Sequence, residues 1–378
     1  MRKGWEYKRF DEVFDLQMGK TPDRKNPEYF GGNNVWVSIR DLGDKEITDS
    51  NEHITDLAVS NSNIRKVKRG TVIMSFKLTV GKCGIAATDL YTNEAIMAFN
   101  TKESFDINSS FLYYYLQCYH WVGSNKAVMG TTLNKATISK QYISIPPLST
   151  QLAIVSELDK INELIRLKKE QLKDFDNLAQ SLFYEMFGDP VENEKGWEVK
   201  KLGEIGEVKT GNTPSRSNDN FYNEKFIEWI KTDNIRNEQM NPTTAAEYLS
   251  RDGAECGRIV SKGSILVACI AGSLSSIGKC CITTKNVAFN QQINAIKPYG
   301  DFCNSIYLYE LIRNSYKYIQ QNATTGMKHI LSKSIFEKMK FPLPPLSLQR
   351  LFAQRIEQIE REKSEIQKSI QDLETLRA

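Results

Sequence analysis

The chain has 378 residues and a formal net charge of +4, and 40% of its residues are hydrophobic while 25% are charged. This balance is typical of a globular protein and argues against disorder. No apolar run approaches the ~20 residues of a membrane-spanning helix, and the first residues lack the apolar core of a secretory signal. The seven cysteines form no paired framework, so we expect reduced thiols, a cytoplasmic location and no membrane partner.

An internal repeat spans almost the whole chain. Gly4-Trp5-Glu6 returns as Gly196-Trp197-Glu198, and the segment 145–151 (IPPLSTQ) returns as 343–349 (LPPLSLQ). A repeat of almost two hundred residues is too long for a solenoid unit, whose period is roughly 20–50 residues. The repeat therefore predicts a duplicated domain, with a first domain at 1–146, a central long helix at 147–190, a second domain at 191–344 and a C-terminal long helix at 345–378.

Each domain is predicted to be mixed α/β. In the first, β-branched and apolar runs predict strands at 35–39, 71–76 and 84–87, and helical spacing of aromatics predicts a helix at 109–119. In the second, the same patterns predict strands at 226–230 and 264–268 and a helix at 304–319. We expect the aromatic stripes of these helices to be core rather than a base-stacking surface.

Two long helices follow the Pro-Pro pairs, because prolines suit the entrance of a helix and not its interior. The first helix is expected from about residue 149 to 187, with Ser149 and Ser347 as candidate N-caps. Apolar residues spaced alternately by three and four predict a coiled-coil seam. The seam residues are Ile154, Leu158, Ile161, Ile165, Leu172, Phe175, Phe352, Ile356, Ile359, Ile366, Ile370 and Leu373. Ala179, Leu182 and Met186 extend the first stripe.

A helix with one apolar stripe needs a partner, and the simplest partner for each long helix is the other. Lys168 and Lys363 interrupt the two stripes. A polar seam residue either sets the register of the pair or extends its charge to solvent, and the sequence leaves both alternatives open.

The motifs of catalysis and metal binding are missing. The segment 272–280 has five residues between its glycines where a phosphate-binding loop has four, and both Pro-Pro pairs lack the flanking residues of a base-methylating tetrapeptide. The three histidines match no metal-ligand spacing, and we expect no metal site. Positive charge is concentrated in the domains, at +3 for 1–145 and +4 for 191–345, against −3 for 146–190 and 0 for 346–378. These features favour a non-catalytic binding protein over an enzyme.

The order of short motifs resembles the specificity subunit of type I restriction-modification systems. The resemblance rests on Trp36 with Asp41-Leu42 and Trp229 with Asn234-Ile235, on the segments 93–96 and 290–293, on the two Pro-Pro-Leu-x-x-Gln segments and on the tail 178–190. It implies an α+β fold, in which two pseudo-twofold-related mixed α/β target-recognition domains are separated by two long antiparallel coiled-coil helices. Asn234 departs from the acidic residue at the position of Asp41.

The resemblance also implies a function. Each domain would read one half of a bipartite double-stranded DNA target, and the helices would set the spacer and dock two modification (methyltransferase) subunits. Restriction subunits, which are ATP-dependent endonucleases and translocases, would join that complex. The chain itself would carry no catalysis and no cofactor, while S-adenosylmethionine, and ATP with Mg²⁺, would belong to the partner subunits. Two alternatives remain, a self-sufficient DNA methyltransferase or nuclease and a coiled-coil interaction scaffold that does not read DNA.

Candidate DNA-contacting residues are polar side chains beside the repeated turns, because base contacts come from side chains that enter a groove while phosphate contacts set register. In the first domain they are Thr21, Arg24, Ser38, Arg40, Lys77, Lys82, Thr131, Thr132, Asn134 and Lys135. In the second domain they are Thr213, Ser215, Arg216, Lys231, Asn234, Arg236, Ser273, Ser275, Lys279, Thr324, Thr325, Lys328 and His329. The basic run 65–69 is expected either to touch phosphate or to form a solvated face.

Overall fold

A computed structural model of the chain describes residues 4–122, 125–127, 130–236, 239–324, 326 and 328–377, with the backbone alone for 125–127 and 130–132. The chain forms two compact units, Met1–Arg166 with Asp372–Ala378, and Leu167–Gln371. The predicted domain boundaries follow the repeat, whereas the division into units falls within both long helices.

The first unit begins with a mixed α/β domain. Its elements are β1 (Glu6–Arg9), α1 (Phe10–Val13), β2 (Phe14–Met18), β3 (Phe30–Val37), β4 (Glu46–Ile47), β5 (His53–Ile54), α2 (Asp56–Ser62), β6 (Val72–Ser75), β7 (Cys83–Ala86), β8 (Tyr91–Thr92), β9 (Ile96–Thr101), α3 (Ser109–Cys118), β10 (Asn125–Ala127), β11 (Gly130–Thr132), α4 (Lys135–Ser139) and β12 (Tyr142–Ile145). The long helix α5 (Leu148–Phe187) follows.

The second domain repeats the pattern. Its elements are β13 (Val199–Lys201), α6 (Leu202–Ile205), β14 (Gly206–Thr210), β15 (Ile227–Ile230), β16 (Tyr248–Leu249), α7 (Arg251–Cys256), β17 (Ile259–Val260), β18 (Ile265–Ala268), β19 (Ile270–Ala271), β20 (Cys280–Ile282), β21 (Val287–Phe289), β22 (Ile293–Pro298), α8 (Ser305–Asn314), α9 (Tyr316–Gln321), β23 (His329–Ile330), α10 (Lys333–Lys338) and β24 (Lys340–Pro342). The second long helix, α11 (Leu346–Arg377), follows.

The sheets of the two domains have the same central order. Strands β2-β9-β6-β7-β4 form a five-stranded sheet in the first domain, and β14-β22-β18-β20 form a four-stranded sheet in the second. Neighbours within the shared β2-β9-β6-β7 part are antiparallel, and so are their counterparts. A second sheet in each domain pairs the tryptophan strand in parallel with a short strand, β3 with β8 and β15 with β21. The two domains are therefore two copies of one fold.

Each domain has its own apolar core, built from the strand faces that the alternation of side chains turns inward. In the first domain Phe10, Phe14 and Phe99 are buried together with Leu112 and Leu116 of α3. In the second domain Tyr307, Leu308 and Leu311 of α8 are fully buried against the four-stranded sheet. The aromatic stripes of these helices are thus core residues.

The predicted helix at 304–319 is wrong in one respect, because the structure has two helices there. Helix α8 ends at Asn314 and α9 begins at Tyr316, while Ser315 between them leaves the helical conformation with ψ of 17°. The Asn314 side chain donates a 2.8 Å hydrogen bond to the Glu310 carbonyl. Such side-chain bonds to the preceding turn compete with the regular helical pattern.

The predicted N-caps Ser149 and Ser347 are also wrong. Helix α5 begins at Leu148 and α11 at Leu346, one residue before each serine. The Pro147 carbonyl accepts the 3.0 Å bond of the Gln151 amide, and the Pro345 carbonyl accepts the 3.1 Å bond of the Gln349 amide. Because the N-cap residue accepts the first intrahelical bond, the second proline of each pair occupies the cap.

A buried glutamine fastens each long helix to its own domain. Gln151 Oε1 accepts the Asn108 amide at 2.9 Å, and its Nε2 donates to the carbonyls of Asp106 and Pro146, both at 2.9 Å. In the second domain the Gln349 side chain repeats these bonds with the Asn304 amide (2.9 Å) and the carbonyls of Phe302 (3.2 Å) and Pro344 (2.8 Å). Both side chains are completely buried. The Pro-Pro-Leu-x-x-Gln segment thus starts each long helix and also attaches it to the preceding domain.

In the second unit, α5 and α11 pack against each other in opposite directions. Phe183 contacts Phe352 with ring centroids 5.8 Å apart, and further along the seam Asp176 contacts Lys363. On α11 the side chains of Phe352, Ile356, Ile359, Ile366 and Ile370 are buried. On α5 the fully buried residues include Phe183 and Phe187, one position beyond the predicted Leu182 and Met186.

In the first unit, the seam side of α5 faces the domain core and the end of α11. Val155 and Leu158 pack against the first core, and Ile165 is buried. Arg377 of α11 donates a 3.1 Å hydrogen bond to Asn162 Oδ1. The predicted fold class is confirmed: two mixed α/β domains, each leading into a long helix, with the helices antiparallel where they meet.

Candidate nucleic-acid interface

The strand order collects the predicted loops of the first domain at one edge of its sheet. Met18 pairs with Met97 and Ser75 with Ile96, so β2 and β6 end where β9 begins. The Asn93 amide donates a 3.0 Å bond to the Val37 carbonyl, which brings the loop after β3 to the same edge. We call residues 19–24, 38–41, 76–82, 93–95 and 133–135 the first loop edge.

The second domain builds the corresponding edge in the same way. Thr210 pairs with Asn294 and Val267 with Cys280, and the Asn290 amide donates a 3.0 Å bond to the Ile230 carbonyl. Strand β23 pairs His329 with Ala271, which adds residues 328–331 to the edge. Residues 211–216, 231–236, 269–279, 290–292 and 328–331 form the second loop edge.

A stacked arginine marks each loop edge. Arg24 Cζ lies 5.0 Å from the ring centroid of the buried Trp36, and its guanidinium forms two hydrogen bonds to Glu52, at 2.5 and 2.9 Å. In the second domain Arg216 Cζ lies 4.8 Å from the centroid of Trp229, and Glu247 accepts hydrogen bonds from Arg216 and Lys231. Stacking and pairing hold the planar guanidinium in one orientation.

At each loop edge the pairing lowers the pKa of the carboxylate and leaves the arginine accessible. The Arg24 hydrogen bond lowers the pKa of Glu52, and the Lys231 hydrogen bond lowers the pKa of Glu247. Half of the Arg24 side chain is exposed, as is half of the Arg216 side chain. Each arginine therefore presents a fixed, accessible face at its loop edge.

Asp41 and Asn234 have one structural role in common, despite their different charge. Asp41 Oδ2 accepts the Ser38 amide at 2.7 Å, and Asn234 Oδ1 accepts the Lys231 amide at 3.0 Å, each closing a short 3-10 turn. Burial raises the pKa of Asp41, but hydrogen bonds from Asn51 and Ser38 outweigh it and leave the pKa below its usual value. An oxygen acceptor is what the turn requires, so an amide can replace the carboxylate.

Exposed cations surround both edges. Arg40, Lys82 and Lys135 are exposed at the first, and Arg236 and Lys328 at the second. Lys279 is half-buried and, with Arg236, Thr232 and Gln292, lines an open cleft of about 470 Å³ in the second domain. These side chains offer charge to phosphate around a concave surface with polar groups.

Several predicted residues serve the loops themselves. Asn134 caps α4 by accepting the Thr137 amide at 2.8 Å, and Ser38 donates to Asp41 at 2.7 Å. Ser273 is within hydrogen-bond distance of Ser275, at 3.1 Å, and the Thr324 hydroxyl donates to the Ile330 carbonyl at 3.1 Å. Roles in shaping the loops do not require these residues to touch DNA.

The remaining predicted positions differ in their surroundings. Lys77 Nζ lies 5.5 Å from the ring centroid of Phe76, and Ser215 is 2.8 Å from Ser217. His329 Nδ1 is buried without a hydrogen-bond partner among the described residues. The side chains of Thr131 and Thr132, and the whole of Thr325, lie outside what the structure describes.

The basic run 65–69 is at the other end of β6 from the first loop edge. Val67 is buried and bridges to Leu90, while Lys68 pairs with Asp89 at 3.0 Å. The other cationic residues of the run are exposed. Of the two alternatives for this run, its location favours a solvated face.

Sequence reasoning missed the polar residues at 94, 291 and 292, although the repeat signals them. Glu94 accepts the Thr21 hydroxyl, and Gln291 accepts the Thr213 hydroxyl. The repeat shows that the two pairs occupy matched positions. It does not show that they are paired, because the two partners lie 73 positions apart in the first domain and 78 positions apart in the second.

Among the described residues, no group of three or more His, Cys, Asp or Glu side chains is arranged to hold a metal ion. In the same part of the chain, none of the helices combines the length and apolarity needed to cross a membrane.

The fold and its duplicated loop edges define a protein with two equivalent domains, each attached to its own long helix. The chain belongs to the type I restriction modification DNA specificity domain family, whose profile matches residues 2–174 and 194–375. The resemblance found in the sequence is thereby confirmed.

Two curated relatives are specificity subunits. The chain is 30% identical over 237 residues to the type I restriction enzyme MjaIX specificity subunit of Methanocaldococcus jannaschii, covering 57% of this chain and 54% of that protein. It is 32% identical over 166 residues to the HindI specificity subunit of Haemophilus influenzae, covering 43% and 35%. The matches thus span about half or less of the length of these relatives.

Two solved structures share the fold. One, from a study of complex assembly and conformational transition of the type I R-M system, has a TM-score of 0.67 at 18% identity and covers 100% of this chain and 96% of that chain. The other is the S subunit of a type I restriction-modification system from M. genitalium, with a TM-score of 0.55 at 14% identity and coverage of 99% and 94%.

Proposed function

We propose that this chain is the DNA sequence-specificity subunit of a type I restriction-modification complex. Each domain reads one half of a bipartite double-stranded target through its loop edge. The observation that carries this proposal is that one loop edge, with a stacked arginine and exposed cations, is built twice from equivalent strand ends. Membership of the DNA specificity family supports it.

The two classes of contact divide among the residues of each edge. Arg40 and Lys82 in the first domain, and Arg236 and Lys279 in the second, contact phosphate and set the register of the domain on the duplex. Polar side chains at the loop tips then contact base edges in a groove. A concave cleft such as that lined by Arg236 and Lys279 suits a backbone that follows a curved path.

The long helices serve the assembly. Their length sets the spacer between the half-sites, and they dock two modification subunits, with restriction subunits joining that core. The chain supplies recognition and no catalysis, so S-adenosylmethionine, and ATP with Mg²⁺, are bound by the partner subunits. The complex acts in the cytoplasm, where its DNA target is. The recognition domains are residues 1–146 and 191–344, and the helical segments are 147–190 and 345–378.

An exchange of residues 1–146 for the same block of another family member tests the proposal. We expect the DNA sequences that the complex methylates to change in one half and to keep the other half. Sequencing of methylated sites, with the parent chain as the control, measures this. A change in both halves, or in neither, would refute the modular assignment. Methyl transfer by the chain alone would identify an enzyme instead. Absence of salt-dependent DNA binding by the parent chain in the presence of the partner subunits would identify a scaffold.

A further inference from the structure

The tips of the two loop edges carry a matched pair of residues that differ in chemistry. Glu94 follows Asn93 in the first domain, and Gln291 follows Asn290 in the second. Both side chains are exposed. Neither residue is needed for the core or for a helix cap, so their chemistry is available to a ligand.

The backbone beneath these residues is the same in both domains. Asn93 Oδ1 accepts the amide of Ala95 at 3.1 Å, and Asn290 Oδ1 accepts the amide of Gln292 at 3.1 Å. In each case the residue at the apex lies inside an asparagine-stabilised turn, a conformation that asparagine favours. The turn therefore projects Glu94 and Gln291 in equivalent ways from a fixed base.

A glycine segment packs tightly against each turn. A Cβ atom on Gly19 would lie 2.2 Å from the Thr92 carbonyl oxygen, and a Cβ atom on Gly211 would lie 2.2 Å from the Asn290 carbonyl oxygen. Only glycine permits this approach. It brings Thr21 to Glu94 and Thr213 to Gln291, and each threonine hydroxyl donates to the apex side chain. The apex residue is thus positioned by both its turn and its neighbour.

The hydrogen-bonding capacities of the two apex residues differ. An ionised Glu94 only accepts hydrogen bonds, and in the major groove it complements the N4 amino group of cytosine. Gln291 both donates and accepts, and it complements N7 and N6 of adenine. The Thr213 hydroxyl bonds to Gln291 Oε1 and leaves the Nε2 amino group of Gln291 outside that bond.

We infer that Glu94 and Gln291 are specificity-determining residues at matched positions, Glu94 reading a cytosine in one half-site and Gln291 an adenine in the other. The inference rests on the proposed function and deepens it. In the first domain Arg24 is near enough to interact with Glu94: the hydrogen bond to Glu52, the charge of Glu52 and then the charge of Glu94 raise the pKa of Arg24 against the opposing effect of burial. Phosphate contacts from such cations hold the duplex while the apex residue contacts a base.

The test is the chain with Glu94→Gln, assembled with its modification subunits and compared with the parent complex in selection from a randomised duplex DNA library followed by sequencing. The second domain already has a threonine–glutamine pair in this turn, so the variant is expected to fold, which a thermal melt checks. At one position of one half-site, we expect the preference for cytosine over adenine to fall by about 5- to 150-fold, which is the range of one good base contact. The other half-site is expected to be unchanged.

Two matched variants separate the explanations. Glu103→Gln makes the same charge change at an exposed residue beyond the other end of β9, and it is expected to leave both half-sites unchanged. Gln291→Glu is expected to alter the other half-site alone. If Glu94→Gln weakened all sequences equally, Glu94 would act through Arg24 and the inference would be overturned, as it would be by an unchanged preference. Failure of the parent chain to select any sequence when it is assembled with its modification subunits would refute the proposed function itself.

Discussion

Lys363 Nζ lies 3.0 Å from Asp176 Oδ1, which joins the two long helices within the second unit. Lys363 occupies a seam position and is buried, and Glu360 accepts a second hydrogen bond from it at 2.7 Å. Asp176 also pairs with Arg313 of α8 at 3.2 Å. Of the two alternatives for this lysine, the structure favours pairing across the seam over extension to solvent. A polar residue buried in an apolar seam is satisfied across the seam only where its partner on the other helix lies opposite, so the contact selects one register.

Removal of Asp176 is expected to destabilise the protein more than removal of Lys363. Asp176→Ala removes the carboxylate that Lys363 and Arg313 share, while Glu360 and Glu310 stay paired with them. Because Asp176 is one-third exposed, we expect a loss of about 1–3 kcal/mol in the free energy of unfolding. Lys363→Met keeps the volume of the side chain and leaves Asp176 paired with Arg313, so a change within about 1 kcal/mol is expected. Urea unfolding measures both. Asp174→Ala, at an exposed position of the same helix, is the control; a larger loss for Lys363→Met would contradict the account.

The attachment made by Gln349 predicts a second stability effect. Gln349→Ala leaves the Asn304 amide and the carbonyl groups of Phe302 and Pro344 without their side-chain partner. An unsatisfied buried group costs about 1–3 kcal/mol, so we expect a loss of at least about 2 kcal/mol in urea unfolding. Gln354→Ala, on the exposed face of the same helix, is expected to change stability little. Equal effects of the two substitutions would show that the attachment is not energetically important.

Asp41 predicts a dependence of stability on pH. Its pKa in the folded state is lowered, so its contribution is present above the pKa of the unfolded chain and is lost as pH falls through the folded pKa. The affected window is below about pH 4. We expect Asp41→Asn to lose less stability than the parent chain between pH 6 and pH 3, because an amide has no proton to gain. Urea midpoints at the two pH values measure this, and parallel losses in the two proteins would be inconsistent with the prediction.

Arg236 and Lys279 are expected to contact phosphate. Alanine at either position is expected to weaken binding of all duplex sequences about equally and to reduce the slope of log affinity against log salt by about 1. Fluorescence titration at several salt concentrations gives the slope. Lys338→Ala removes an exposed charge in α10, which is not part of the second loop edge, and serves as the control. A change in base preference without a change in salt slope would assign these residues to base contact instead.

The parts of the fold that the sequence predicted are those set by local patterns. The seam of α11 follows a regular spacing, and the repeated strands follow runs of β-branched residues, so both could be located before the structure. Near the end of α5 the prediction named Leu182 and Met186, whereas the fully buried residues are Phe183 and Phe187. An α-helix has 3.6 residues per turn and not 3.5, so a stripe extrapolated over many turns moves off the buried face.

The site was harder to predict because its pairings are not local. The partner of Arg24 is Glu52, 28 positions away, and the partner of Arg216 is Glu247, 31 positions away. An asparagine can cap a helix or contact a base, and the residue type alone does not decide between these roles for Asn134. The role becomes clear only when the helix that follows it is known. The position of the loops was predictable from the repeat, but the function of each side chain depends on contacts that only the folded chain creates.

Gln151 and Gln349 each bond to main-chain atoms alone on the domain side of the junction. The attachment of a domain to its helix therefore does not depend on the domain's side chains, provided that the preceding loop keeps its backbone path. A foreign domain spliced in at the Pro-Pro pair would bring two carbonyls and an amide, and these would complete the joint without any adaptation. The glutamine that makes the connection belongs to the helix, so the loop edges can change in sequence while the attachment is kept.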